Sequence, residues 1–321
     1  MKTRPLILSI ALLSLVACDS KPTESSQSQS NTAPSHHAAA DAQHTPATEK
    51  QDAMPAPSAA DVGNLARAMG GGAAGIMPDD APKDKYGKPY IIGNLGGVPV
   101  NLPPTIVRFV EYTDSPGFNP QALRNFKPSV RTYDSIITSF GFDFRNHDKQ
   151  MLDRHNDALV EERKQELKVS RIQDNDWIRV SISAKFANSN PNFLDDSVAH
   201  YYERNPHLPH TPIYHYWQPN GEYFHGLQVN IHPGIDPKTG KAWREHEDAK
   251  DIFVYRDNEG RIKSIMNCTN KGIINSCTHR FKFPEEMSIF ISIEYNRDNL
   301  PSWQELEKNA INMVLDFRKD K

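Results

Sequence analysis

Cysteine is scarce in this chain. Of 321 residues only Cys18, Cys268 and Cys277 are cysteines, too few for a four-thiolate metal site and with no Cys-x-x-Cys for dithiol redox chemistry. No Gly-x-Ser-x-Gly elbow occurs, so the sequence offers no hydrolase nucleophile of that kind. A phosphate-binding loop is also missing. Gly240-Lys241 lacks the upstream glycine, and Gly70-Gly71-Gly72 neither follows a strand nor opens a strong helix. His246-Glu247 begins like a zinc-protease helix, but the residue four on from His246 is Lys250. Basic charge is not in excess: 37 Lys and Arg stand against 40 Asp and Glu, a net charge of −3. Nucleic acid needs a concentrated basic footprint, so it is excluded as an expected partner. No apolar run reaches the roughly 20 residues that a membrane-spanning helix needs.

One absence is local. From Asp19 to Ala60 there is no Leu, Ile, Val, Phe, Tyr or Trp. Ser, Gln, Thr, Ala, Pro and His fill the stretch, and such a segment buries too little apolar surface to offset the entropy of ordering. It reads as a disordered tether with a mean reach of about 35 Å and a stretched length of roughly 140 Å. His36, His37 and His44 within it read as solvated linker residues.

The start of the chain explains what the tether would hold. Lys2 and Arg4 precede the apolar run Leu6 to Val16, and Leu15-Val16-Ala17-Cys18 follows. This resembles a bacterial lipobox, in which a signal peptidase cuts before the cysteine and the cysteine is acylated. The expected segments are a signal peptide over 1–17, lipidated Cys18 with its tether over 18–85, and a globular domain over 86–321. Losing Lys2 and Arg4 leaves 35 basic against 40 acidic residues, so the mature charge is −5. With no basic patch for anionic lipid, bilayer attachment would rest on the acyl chains of Cys18, each buried CH₂ adding about 0.8 kcal/mol. Asp19 resembles the signal that keeps enteric lipoproteins in the inner membrane, which favours that membrane while leaving the outer one open. The expected compartment is the periplasm.

The domain reads as strands in series. Pro89 to Val100 is extended and broken by Gly93, Gly96 and Gly97 into two short pieces around the turn Asn94-Leu95-Gly96-Gly97, and Thr105 to Tyr112 and Ile136 to Phe144 follow. Gln150 to Val169 is charge-rich and fits a solvated helix or a long excursion. Trp177 to Phe186 and Gly226 to Ile231 are further strands. Asp251 to Tyr255 and Ile262 to Cys268 make a hairpin around Asp257-Asn258-Glu259-Gly260. Thr278 to Phe283 and Met287 to Tyr295 make another, with Ile289, Ile291 and Ile293 on one face. A last helix starts at Ser302, with Glu305 completing a capping box, and buries Leu306, Ala310, Met313, Val314 and Phe317. The class expected is α+β, a predominantly antiparallel β-sheet with a C-terminal helix.

Cys268 and Cys277 lie at the end of one strand and the start of the next, in an oxidising compartment, which predicts a structural disulfide worth roughly 2–3 kcal/mol. The histidines from His200 to His246, including His207, His210 and His215, could be drawn as a zinc site. Pro206, Pro209 and Pro212 extend the segment and spread them apart, so scattered packing residues are the better account. No cofactor is expected. The stretch from Tyr201 to Phe224 is different. Tyr201, Tyr202, Tyr214, Tyr216, Trp217 and Tyr223 crowd a proline-rich, loop-like segment. Such amphipathic aromatics suit a partner-binding surface, and they equally suit a long loop packed over the sheet.

Several strings, taken in order, resemble a known family. They are Ile92-Gly93-Asn94-Leu95-Gly96-Gly97-Val98-Pro99-Val100, Ser139-Phe140-Gly141-Phe142-Asp143 and Gly234-Ile235-Asp236-Pro237. Lys250-Asp251-Ile252-Phe253-Val254, Cys277-Thr278-His279-Arg280-Phe281 and Leu300-Pro301-Ser302-Trp303 complete the set. Together they span most of the domain and resemble Gram-negative lipoproteins found with type VI secretion lipase effectors, which act as immunity proteins. The resemblance implies a binding inhibitor without chemistry of its own, whose partner is a secreted lipase toxin. It assigns no contact residues. Two other classes are consistent with the residues. One is an envelope lipoprotein that binds glycan through aromatics and acids, and the other is a metal-dependent hydrolase built on His200 to His246.

Overall fold

Two glycines close the first hairpin. Gly96 and Gly97 both have positive φ, and a Cβ on Gly96 would stand 2.7 Å from the Ile289 side chain and 2.8 Å from the Ser288 nitrogen. The Asn94 side chain accepts the Gly97 N–H at 2.8 Å. This turn joins β1 (Ile91–Leu95) to β2 (Val98–Leu102). The structure, a computed structural model, describes residues 75–116, 120–169, 176–202, 216–246, 249–270, 275–284 and 286–320, all in the unit Pro55–Lys321. The signal peptide, Cys18 and the tether up to residue 74 lie outside the described residues.

The remaining strands are β3 (Arg108–Tyr112), β4 (Ile136–Arg145), β5 (Trp177–Ser183), β6 (Gln218–Phe224), β7 (Leu227–Ile231), β8 (Lys250–Arg256), β9 (Ile262–Thr269), β10 (Ser276–Lys282) and β11 (Phe290–Asn296). They form one sheet in the order β2-β1-β4-β5-β11-β10-β9-β8-β7-β6, with β3 paired to β4 off that path. The β1–β4 ladder is parallel and the others are antiparallel. The helices are α1 (Pro120–Asn125), α2 (Asp157–Val169), α3 (Ala184–Ser189), α4 (Phe193–Tyr202) and α5 (Trp303–Leu315). The domain is therefore α+β, mostly antiparallel sheet with a C-terminal helix.

The main core lies between the sheet and α5. Trp303, Leu306, Ala310, Met313 and Val314 recur at helical spacing and bury one face of α5, and Phe317 just beyond it meets the rings of Phe140 and Phe142 at 6.0 and 5.6 Å. Strand alternation does the matching work. Ile289, Ile291 and Ile293 enter this core, while Phe290 enters a second cluster with Leu194 and Val198 of α4. Cys268 and Cys277 face each other across β9 and β10, with Cα atoms 4.0 Å apart, and form a disulfide in the interior.

Several local expectations are corrected. Ser302 stands at the N-cap of α5, but its side chain makes no capping hydrogen bond. A 3₁₀ turn over Arg297–Ser302 runs directly into the helix, its own i→i+3 bonds precede the first helical turn, and Asn296 caps that turn by accepting the Asp298 N–H at 2.9 Å. Glu305 instead pairs with Lys149 at 3.3 Å. The strand expected from Thr105 begins at Arg108, because Ile106 and Val107 donate back to the Pro103 carbonyl in a turn. Trp177 to Phe186 divides after Ser183, where α3 begins. The stretch from Tyr201 to Phe224 is not one irregular loop, since it ends α4 and supplies β6. Packing also reaches upstream of Tyr86, with Ile76 bridged to Val130 and Ala81 buried.

Candidate partner-binding groove

The residues from Tyr201 to Phe224 divide by burial. Tyr202 donates its hydroxyl to the Asn230 side chain at 2.7 Å, and burial pushes that hydroxyl above its ordinary pKa. Tyr201 packs edge-on against Trp217 at 5.1 Å, and Trp217 is buried, giving its indole N–H to the Lys250 carbonyl at 2.8 Å. The Tyr216 carbonyl is 3.2 Å from the His232 ring nitrogen Nδ1. The Tyr201, Tyr202 and Trp217 side chains pack in or against the second core cluster. Tyr223 does not: it is 71% exposed, and its neighbour Phe224 is 37% exposed. Tyr214 lies outside the described residues, as do His207, His210 and His215.

Local geometry explains the exposure of Tyr223. The last two residues of β6 pair with the first two of β7, Tyr223 with Gln228 and Phe224 with Leu227, around His225-Gly226. Both turn residues have positive φ, 49° and 82°, as a two-residue hairpin of this twist requires. The His225 carbonyl accepts the indole N–H of Trp303 at 3.1 Å, so the turn is fastened to the start of α5. β6 is the outermost strand, and a register shift between Pro219 and Tyr223 breaks its ladder. Nearly every residue along it is exposed.

Beside this hairpin lies a groove of about 610 Å³. Its floor is apolar: Val229, Phe253 and Leu300, all buried. Tyr223, Phe224 and Pro301 form walls, and Glu222, Asp298, Arg244 and Arg297 supply charge. Asp251 sits beneath, fully buried, and organises both arginines. Arg244 donates to its two carboxylate oxygens at 3.0 and 3.1 Å, and Arg297 donates to one at 2.6 Å. Arg297 also reaches the Thr269 carbonyl and lies 5.5 Å from the Phe253 ring. Asn270 holds the Arg244 carbonyl at 2.6 Å. Two 3₁₀ turns distant in sequence, Trp243–Glu245 and Arg297–Ser302, are thus pinned to one buried carboxylate. None of this was visible as a motif. The available signal was an acid, Asp251, at the start of the otherwise apolar run Ile252-Phe253-Val254.

A second polar set lies under α5. His279, fully buried, approaches Glu307 at 2.8 Å, and Ser264 donates to the same carboxylate oxygen. The Tyr295 hydroxyl is 3.3 Å from the other His279 nitrogen, and burial raises its pKa. The carboxylate stands between serine and imidazole, so the imidazole is not placed to take the serine proton. Such an order ties strands β9 and β10 to α5 rather than activating a nucleophile. Among the described residues no three His, Cys, Asp or Glu side chains converge as metal ligands. His246 approaches Asp236 at 3.3 Å, and His200 is exposed on α4.

No protein-family model matches the sequence, and no curated protein matches it. Among solved structures, the chain is similar to an immunity protein of the Stenotrophomonas maltophilia type IV secretion system. Identity is 11%, the TM-score is 0.41, and the alignment covers 75% of this chain and 100% of that one. At that distance the likeness says nothing of function.

Proposed function

We propose that this chain is a periplasmic lipoprotein, anchored through acylated Cys18, whose domain binds and neutralises a secreted lipase of a type VI secretion system. The observation that carries the reading is the β6–β7 hairpin. It presents Tyr223 and Phe224 to solvent on a fastened turn beside an apolar groove. Rigid exposed aromatics are costly to keep in water, and they bind with little ordering entropy, which is how interface anchors work. The lipobox, the polar tether and the resemblance to lipase-immunity lipoproteins supply the partner and the place. A lipase that attacks phospholipid from the periplasmic side is best met at the membrane, and a tether raises the inhibitor's effective concentration there.

The test is co-expression with a periplasm-directed type VI secretion lipase. Cells carrying this protein should survive and yield a complex on size exclusion, and Cys18→Ser should release the protein from membranes and weaken protection. Equal killing with and without the protein, together with no complex, would overturn the proposal in favour of glycan binding.

A further inference from the structure

The groove beside the hairpin carries its own statement about what it holds. Its depth is apolar, and its volume lies within the 300–1,000 Å³ usual for binding sites. Charge at its mouth is not balanced. Both wall guanidinium groups are engaged, Arg244 by Asp251 and Arg297 by Asp251 and the Thr269 carbonyl. The two exposed carboxylates accept only from neutral side chains. Glu222 accepts from the Asn220 side chain at 2.7 Å and Asp298 from the Asn275 side chain at 3.1 Å, and among the described residues neither forms an ion pair. Glu222 acts on Arg244 through space only. Two guanidinium groups stand against three carboxylates, Asp251, Glu222 and Asp298, so the site carries one net negative charge, with Glu222 adjoining the exposed Tyr223.

We infer that the groove takes an aromatic side chain of a protein partner together with an adjacent Lys or Arg. The aromatic ring would fill the floor over Val229, Phe253 and Leu300. The cation would lie between Glu222 and Asp298, against the face of Tyr223, where carboxylate attraction and cation–π contact add. Addition of a partner strand to β6 is a poorer match, because Pro219 removes a donor and the register shift breaks the ladder. Asp251 is the positioning residue: it holds both groove walls before the partner arrives, which lowers the cost of binding.

This inference rests on the reading of the domain as an effector-binding protein, and its test does not need the effector. The probe is the blocked tetrapeptide Gly-Trp-Arg-Gly, titrated at low salt into the full mature chain with Cys18→Ser at the lipidation site. Binding is followed through the methyl resonances of Val229 and Leu300. Those resonances should shift and saturate, and the peptide Gly-Trp-Glu-Gly should bind about tenfold more weakly. Glu222→Gln with Asp298→Asn, which keeps shape and both amide contacts, should erase the preference while leaving the Trp-dependent shifts. Absence of shifts at Val229 and Leu300, or equal binding of the two peptides, would overturn the inference even if co-expression shows protection. Loss of protection with intact peptide binding would instead overturn the effector reading alone.

Discussion

At β2, the outermost strand at one end of the sheet, Val100 and Leu102 are fully buried and the free edge is covered. The chain that follows α5 seals it. Asn101 donates to the Phe317 carbonyl at 2.7 Å, Lys319 donates to the Pro99 carbonyl at 3.0 Å, and Arg318 bridges Val100. At β6, the strand at the other end, almost every residue is exposed and Tyr223 stands in water. Both edges must avoid pairing with stray chains. One does so by being covered, at the cost of committing a tail to it. The other does so by carrying Pro219 and a broken register, which leaves its side chains free to meet a partner. The sealed end is built for stability, and the open end is where the proposed contact lies.

The contrast predicts where substitutions will hurt. At the sealed end, Phe317→Ala should cost about 3–5 kcal/mol, because it empties the space against Phe140 and Phe142 and frees the tail. Denaturant unfolding measures that loss, and the variant should also self-associate through the uncovered β2 edge. Beneath the open end the weak point is polar. Asp251→Ala leaves two arginines without their buried partner and should cost about 3 kcal/mol. If that variant unfolds like the parent, the groove walls are not held by Asp251.

A smaller effect, away from both edges, is pH-dependent. Burial alone would raise Asp153, but the Lys85 ammonium, the Tyr86 hydroxyl and the His155 amide outweigh it and hold the carboxyl at about 2. A depressed carboxylate stabilises the fold above its unfolded value near 4, and that contribution fades as pH falls toward 2. Asp153→Asn should therefore flatten the loss of stability between about pH 4 and pH 2, read from unfolding at a series of pH values. The same loss in parent and variant would show that Asp153 contributes nothing there.

Parts of the fold also differ in how far the amino-acid sequence announces them. The β8–β9 hairpin, the pairing of Cys268 with Cys277 and the apolar stripe of α5 follow from turn residues, spacing and periodicity, all of them local. β6 does not. Gln218-Pro219-Asn220-Gly221-Glu222 has the composition of a loop, and it becomes a strand through its pairing with β7. Of the aromatics marked as one surface, those described are likewise divided only by tertiary packing, which buries Trp217 and leaves Tyr223 out. The groove draws Phe253, Arg244 and Arg297 from three separate elements around Asp251, so no spacing in the chain could reveal it.

The open end should be neutral for folding and decisive for binding. Tyr223→Ala removes an exposed ring, so the unfolding midpoint should stay near that of the parent, while loss of an anchor residue should weaken binding by about 2 kcal/mol or more. The direct measurement is the affinity of this variant and of the parent for the proposed lipase effector, by titration calorimetry, with thermal unfolding run on the same samples. The account predicts tight binding by the parent and at least thirtyfold weaker binding by an equally stable variant. A variant that binds as tightly as the parent would contradict it.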